Sequence, residues 1–565
     1  MHKTFFRNNF TTGGKWIITF FITYLIYSYL TVIFSKLIGL SLDVAQSKDR
    51  EYFQEFLIHL LIITVSVILM YFIYSYFEAR YLENVYTSTR TKLFNGIMNK
   101  PMSQYIEEGD AALSSNLIND IRVLEDNYIK PYIEVSKEII LLIISLITLL
   151  QINIWTTLFI GCVSFVPILL PNLFMKKLNH KMNSYGNELQ QYTLKINDYL
   201  AGYEFFKYNN VELKVFEKHG VYNKELARQK RKAFLYLDFV SNSVAVSSIL
   251  ITIGVLLVGM FLAIHGQLTI GEVFAISFIS NGVSGPLGNI SNYLPKIQGS
   301  DAFLMKYNGF LITPNNKEPI SPMEQNIRLD HVSLSFDKPV LNNVSLELDK
   351  NKKYTIIGES GSGKSTLFKL ILGYYENYTG EILVDNQSIK NKDMNSIYNF
   401  IACVSQNTYL FQGSIKDNLT MFRQSIEDDT INKVLEMVEM KEKIAALEHG
   451  LKTVIEEGGK NFSGGEKQRI SIARALLNNK DVLFLDEATS ALDEENYLKI
   501  EQNLILLSNI TIISITHRIA KEVLLGYDEI IVMKNGMVEE KGNFKELIDK
   551  KGYFYQLYSN QEQKA

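Results

Sequence analysis

Gly358-Glu359-Ser360-Gly361-Ser362-Gly363-Lys364-Ser365-Thr366 is a glycine-rich run that closes on a lysine and two hydroxyls. That order suits a polyphosphate. The glycines let backbone N–H groups approach anionic oxygens, and the start of a following helix favours negative charge. Lys364 is then placed to reach the β- and γ-phosphates, and Ser365 to hold Mg²⁺. Tyr354-Thr355-Ile356-Ile357 ahead of the run reads as a buried strand. A helix is expected from near Ser365 through Leu367, Leu370 and Leu372. Strand, loop and helix in that order are the context such a motif needs, so ATP with Mg²⁺ is the expected ligand pair.

Asp481-Val482-Leu483-Phe484-Leu485 reads as a second buried strand that ends in Asp486-Glu487. A carboxylate at a strand tip can hold Mg²⁺ through water, and the next one can orient an attacking water. Taken alone, the pair could equally be a solvated strand end; after the phosphate loop it reads as chemistry. Thr511-Ile512-Ile513-Ser514-Ile515-Thr516 is a third such strand, and it delivers His517 about thirty residues past Asp486. About a hundred residues after the phosphate loop comes Phe462-Ser463-Gly464-Gly465-Glu466, followed by Lys467-Gln468-Arg469. Gly464 and Gly465 open an expected helix through Ile470, Ile472, Ala473 and Leu476, whose N-terminal amides can face a phosphate. Two phosphate-reading sequences in one chain describe an ATPase whose copies close in pairs around nucleotide.

The elements that must carry this machinery are of two kinds. The first half of the 565-residue chain is dominated by uncharged apolar runs: Trp16–Ser35, Leu57–Phe77, Ile139–Met175, Phe239–Gly271 and Val273–Pro295. A membrane-crossing helix needs roughly 20 mostly apolar residues. The break at Gln151-Ile152-Asn153 and the turn at His265-Gly266-Gln267 divide the longer runs. Six spans result, over residues 16–40, 55–77, 133–151, 154–175, 239–264 and 268–295, and these are expected to hold no acidic or basic residue. The first run is too long for a signal-peptide core and reads as a retained span. Basic residues collect in the second and fourth connections, among them Arg80, Arg90, Arg122, Lys176, Lys177 and the cluster Arg228, Lys230, Arg231, Lys232. By the positive-inside rule those loops, both termini and the ATPase face the cytosol. Pro314, Pro319 and Pro322 punctuate a linker. The expected domains are therefore 1–312 in the membrane, a linker over 313–326, and an α/β ATPase over 327–565.

These motifs in this order resemble the ATP-binding cassette (ABC) family, and the chain as a whole looks like an exporter-type half-transporter. The implied fold is a membrane α-helical six-span domain followed by an α/β P-loop NTPase domain. The resemblance implies further roles. Ser463, Gly464, Gly465 and Glu466 belong to the signature that completes the ATP site of an opposite subunit. Gln406, in Val404-Ser405-Gln406, matches the glutamine that senses Mg²⁺ and water. Phe336 matches the aromatic that stacks on adenine, and Asp493, in Ser490-Ala491-Leu492-Asp493, the loop that signals between sites. Glu487 takes the catalytic carboxylate role and His517 the γ-phosphate switch. Glu457 matches an acidic residue that touches the cytosolic loops. In the membrane half, Gly109-Asp110, Asn119-Asp120 and Pro286 fit less specifically.

Some positions depart from the family pattern. The signature has Phe462 for the usual leucine and Glu466 for the usual glutamine, Phe336 lacks a tyrosine hydroxyl, Glu456 replaces a commoner glycine, and Gly542-Asn543-Phe544 replaces a more usual Gly-Thr-His. None removes a catalytic group. Glu466 adds negative charge near phosphate, so Glu466→Gln is expected to raise basal ATPase activity.

Composition excludes several rivals. The net charge of −3, with no basic tail, speaks against nucleic acid. The two cysteines, Cys162 and Cys403, lie far apart and imply neither a disulfide nor a metal site. DNA-repair ATPases of the same superfamily insert a long coiled coil between the two motifs, and importers usually split membrane and ATPase parts between chains. A non-transporting sensor or regulated channel remains an alternative, as does the competent half of a heterodimer. Expected partners are a second half-transporter, membrane lipid and a transported small molecule, lipid or peptide, in a bacterial cell membrane. No peptidase domain precedes the first span, so a peptide cargo would lose any leader elsewhere. Ser241, Asn242, Ser243, Ser247, Ser248, Asn281, Asn289 and Asn292 either line a substrate path or join helices.

Overall fold

The computed structural model describes residues 14–311 and 317–562. Met1–Arg7, Pro314 and the start of the expected linker lie outside the described residues. Those described divide into two compact units, one from 14–98 and 111–311, the other from 99–110 and 317–562.

The first unit is helical. Its main helices are Lys15–Ser47, Arg50–Met98, Lys130–Ile152, Ile154–Val163, Val166–Ala201, Glu212–Ile264 and Ile270–Gly299. Lys15–Ser47, Arg50–Met98 and Glu212–Ile264 are long and apolar enough to cross a membrane. On Arg50–Met98, Leu61, Ile62, Leu69 and Phe72 are each 55–66% exposed. An apolar face of that extent suits hydrocarbon. The polar punctuation acts as the sequence suggested. Asn153 caps the helix Ile154–Val163 by accepting from the Trp155 and Thr156 N–H groups. Thr269 and Glu272 form a capping box at the start of Ile270–Gly299.

Two expectations for this unit are corrected. The segment 154–175 is not one helix: it breaks at Ser164-Phe165 into Ile154–Val163 and Val166–Ala201. Nor are the spans free of charge, because Glu134, Lys137 and Glu138 lie on Lys130–Ile152. Lys137 is buried and bridges Glu78 at 2.9 Å and Glu134 at 2.8 Å, and Glu138 accepts from Asn289 at 2.7 Å. Pairing with the two half-buried carboxylates is what lets Lys137 be buried. Lys15–Ser47 and Ile270–Gly299 also meet closely. A Cβ on Gly39 would sit 2.2 Å from the Ala275 backbone nitrogen. One helical turn on, Asp43 accepts from Thr269 Oγ1 at 2.5 Å and from the Gly271 N–H at 2.7 Å.

The second unit is built on two main sheets. Strands β1 (Asn326–Ser335), β2 (Pro339–Asp349), β4 (Thr379–Val384) and β5 (Gln387–Ser388) make an antiparallel sheet ordered β2-β1-β4-β5, which the α/β expectation did not include. A second sheet runs β12-β11-β3-β10-β9-β6, from β3 (Lys353–Gly358), β6 (Ile401–Val404), β9 (Val482–Asp486), β10 (Thr511–Ile515), β11 (Glu529–Lys534) and β12 (Met537–Gly542). All but β12 are parallel, and β7 (Gly413–Ser414) and β8 (Val454–Ile455) pair apart from both sheets. β3, β9 and β10 are Ile-, Val- and Leu-rich and buried throughout, as strands covered on both faces must be. Ile515 pairs with both Ile356 and Asp486, so the carboxyl ends of three central strands lie level. Ligands of open parallel sheets bind at that edge.

Candidate active site

The phosphate loop leaves β3 at Gly358 and enters the helix Lys364–Ile371. Gly363, the N-cap, has φ +99°, and a Cβ there would press on Leu341 at 2.9 Å, so only glycine fits. Glu359, Ser360 and Gly361 stand exposed at the apex, while Ser362 and Lys364 are buried and Thr366 is half-buried. Lys364 donates from Nζ to the carbonyls of Gly358 at 2.9 Å and Glu359 at 2.8 Å. Burial pushes its ammonium below the ordinary lysine range, against the pull of Glu487 and Asp486.

Ser365 Oγ donates to Asp486 Oδ1 at 2.9 Å, which joins the helix start to the tip of β9. Burial raises the Asp486 carboxyl above its usual range; the Ser365 hydrogen bond opposes this and the neighbouring Glu487 adds to it. A hydroxyl oxygen beside a carboxylate that lacks a cationic hydrogen-bond partner suits Mg²⁺, which takes oxygen ligands and keeps waters and phosphates as the rest of its shell. Among the described residues no cluster of three or more His, Cys, Asp or Glu could hold a metal by itself.

Glu487 has φ +50°, a left-handed backbone that a non-glycine residue adopts at a cost. Its carboxylate is shared. Gln406 Nε2 donates to Oε2 at 2.8 Å, and His517 Nε2 lies 3.0 Å from Oε1. Gln406 follows β6, Glu487 follows β9 and His517 follows β10, so the sheet register assembles all three. Residues drawn from across the sequence thus meet within one hydrogen-bonded patch.

Phe336 stands apart from this patch. Its ring is 57% exposed and meets Tyr375 edge-on at 5.2 Å. Both line a cavity of about 540 Å³ with residues of the short helix Met102–Glu108, where Ser103 donates to Glu376 at 2.9 Å.

The signature opens the helix Gly464–Leu477. Ser463 accepts from the Glu466 N–H, and Glu466 Oε2 accepts from the Ser463 N–H at 3.0 Å. The other Glu466 oxygen pairs with Lys443. Burial tends to raise the Glu466 carboxyl, but Lys443 and the Ser463 N–H outweigh it and hold it low. The side chain expected to point charge at phosphate is instead folded onto its own helix start and neutralised. Among the described hydrogen bonds, none from 463–466 reaches 358–366. Asp493 caps the helix Glu494–Ile505 by accepting from the Asn496 N–H.

Sequence reasoning overlooked Gln468, Thr489, Glu501, Arg518 and Lys443. Arg518 directly follows His517 and Gln468 stands two residues past the signature, so proximity was the available signal for those two. Nothing in the spacing marks Lys443.

The family model for the ABC transporter matches residues 341–490, and that for the ABC transporter transmembrane region matches 14–287. The ABC transporter ATP-binding protein YwjA of Bacillus subtilis (strain 168) is 28% identical over 85% of this chain and 84% of its own length. A Staphylococcus aureus (strain NCTC 8325 / PS 47) protein, provisionally named a multidrug export ATP-binding/permease protein, is 29% identical over 84% of this chain and 83% of its own. A bacterial Atm1-family ABC exporter solved with ATP bound shares the fold with a TM-score of 0.81, at 19% identity, over 97% of this chain and 98% of that one. Apolar helices and the transmembrane-region match make this a membrane protein whose relatives are bacterial. The chain belongs to the ABC transporter family, as an exporter-type half-transporter with membrane and ATP-hydrolysing parts fused.

Proposed function

We propose that two such chains export a substrate across a bacterial cell membrane by alternating access, with ATP held at two sites between their ATPase domains. The observation that carries this reading is the shared Glu487 carboxylate, held between Gln406 and His517 beside the Ser365–Asp486 pair. Lys364 turns from its two loop carbonyls to the β- and γ-phosphates. Ser365, Gln406 and Asp486 would hold Mg²⁺, which when bound supplies charge neutralisation on the phosphates. Glu487 orients the attacking water, His517 contacts the γ-phosphate, and Phe336 stacks on adenine. Gly358–Thr366 cradle the phosphates. Ser463–Glu466, facing no phosphate loop of their own chain, complete the partner's site, and Asp493 anchors the loop between the two.

We read domain limits of 1–312, 313–326 and 327–565, and six spans, with the fourth broken at Ser164-Phe165. Both termini and the ATPase face the cytosol. A second copy is supported by exposed apolar residues around the short helix Tyr203–Tyr208: Leu200, Phe205, Leu213 and Phe216 are each 65–80% exposed. The cargo is an amphipathic or hydrophobic small molecule, lipid or peptide, in keeping with the multidrug label of the Staphylococcus relative. The test is Glu487→Gln in lipid-reconstituted protein. It should bind ATP, dimerise with ATP trapped, and lose roughly 10²–10⁴-fold in turnover, the usual size of a general-base contribution. Near-normal turnover in that variant would overturn the assignment.

A further inference from the structure

The loop from Glu487 to Asp493 is gripped from several directions. Gln468 donates to Ser490 Oγ at 3.0 Å and accepts from the Ala491 N–H at 2.8 Å. Arg518 donates from Nη2 to the carbonyls of Ser490 at 3.0 Å and Leu492 at 2.6 Å, with its guanidinium 4.8 Å from the centre of the Tyr497 ring. The remaining grip comes from the interior. Glu501, only 2% exposed, accepts from Thr489 Oγ1 at 3.0 Å and from the Tyr527 hydroxyl at 2.8 Å.

A carboxyl group in such a place costs stability, because desolvation of its charge is only partly offset by two hydroxyls. Its side of the helix otherwise carries Tyr497, Ile500 and Leu504, all buried. The polar groups facing it are Thr489, Tyr527 and, at longer range, Arg518. None of the proposed ATP ligands contacts it. What it holds is Thr489, two residues from Glu487, in a tight turn closed by the Ser490 N–H donating to the Glu487 carbonyl at 3.1 Å. Arg518 holds the other end of that turn and is itself bonded in sequence to His517. Loop and switch histidine are therefore fixed to one another.

We propose that Glu501 and Arg518 are positioning residues that set the Glu487–Asp493 loop, and through it the Glu487 carboxylate against Gln406 and His517. This rests on the reading of Glu487 as the group that orients water. Misplacement of a reacting group by about 1 Å can cost 10²-fold in rate, so a loop tether has kinetic leverage without touching substrate.

The experiment uses the full chain reconstituted in lipid and reads kcat per nucleotide-binding site, KM for ATP and melting temperature. Thr489→Val removes only a hydroxyl and should lower kcat about tenfold while KM for ATP stays within about twofold. Glu501→Leu should lower kcat further. Glu501→Gln should recover most of that loss, because its amide offers an acceptor and donors to the same hydroxyls. Arg518→Lys keeps the charge, loses the fork and should behave like Thr489→Val. If Glu501→Leu does not fold, Thr489→Val and Arg518→Lys carry the test. Wild-type kcat per site in these two, with Glu487→Gln silent, removes the positioning role and leaves the ATPase reading intact. An active Glu487→Gln removes the reading beneath it.

Discussion

The Lys137 cluster of the membrane unit and the strand tips of the ATPase unit treat their charged groups in opposite ways. In the membrane unit, charges are satisfied internally: Lys137 lies between Glu78 and Glu134, and Asp43 caps the first turn of Ile270–Gly299. In the ATPase unit, groups at the strand tips are held by weaker stand-ins. Lys364 rests on backbone carbonyls, Asp486 on a hydroxyl, and Glu487 on an amide and an imidazole. On the proposed function, each of these contacts would be exchanged for a stronger one when a triphosphate and a cation bind. Internal pairing builds a frame; deliberate under-pairing builds a site.

That contrast can be broken at either end. Lys137→Met should have the largest effect, because it leaves the half-buried Glu78 and Glu134 without their shared cation; about 3 kcal/mol, the lower end of the cost of breaking a buried pair, is expected. Reversible denaturation in mixed micelles would measure it, and a loss under about 1 kcal/mol would show that the frame does not depend on this pairing. Lys364→Met tests the other side. Its loss should leave the fold intact but lower turnover roughly 10²–10³-fold, as when one preorganised electrostatic contact is removed. A large fall in melting temperature there would mean the lysine is structural after all. Asp43→Ala removes a helix cap and should cost about 1 kcal/mol, with ATP affinity unchanged.

Smaller effects sharpen the comparison. Glu466 is paired with Lys443, so Glu466→Gln should change turnover less than about threefold, whereas Lys443→Met bares the Glu466 charge at the start of the signature helix and, on the proposed function, should lower turnover more. Equal effects would mean the pairing is irrelevant to closure. Glu501 provides a pH signature. Burial raises its carboxyl above the ordinary glutamate range. Between the ordinary and the raised values the folded chain holds a proton that the unfolded chain has released, so stability falls as pH rises through that window. Melting curves of wild type and Glu501→Gln should therefore converge toward acid pH and separate as pH rises, with the variant the more stable. Parallel curves would show that Glu501 does not titrate there.

Much of this was visible in the chain itself, for a physical reason. Gly358–Thr366, Asp486-Glu487 and His517 each close an apolar run that reads as a buried strand, and parallel strands bring such ends to one sheet edge however far apart they lie in the chain. Gln406 was matched by family pattern, but its bond to Glu487 depends on β6 lying beside β9, a pairing between segments some eighty residues apart. Glu501 looks like a solvated helix residue, because no local pattern tells a buried carboxylate from an exposed one. Lys137 falls inside a span expected to hold no charge, and its partner Glu78 sits on a different helix. The antiparallel sheet escaped notice because β1 and β2 were read for motif residues rather than for alternation.

The left-handed backbone at Glu487 has a consequence for anyone engineering this chain. Holding a side chain other than glycine or asparagine in that region costs about 1–2 kcal/mol, so the position works as a loaded spring. Asparagine would relax it and give up the longer carboxylate. Selection for heat resistance alone would therefore favour loss of this carboxylate, and, on the proposed function, a thermostability screen on this protein must score ATP turnover in the same well.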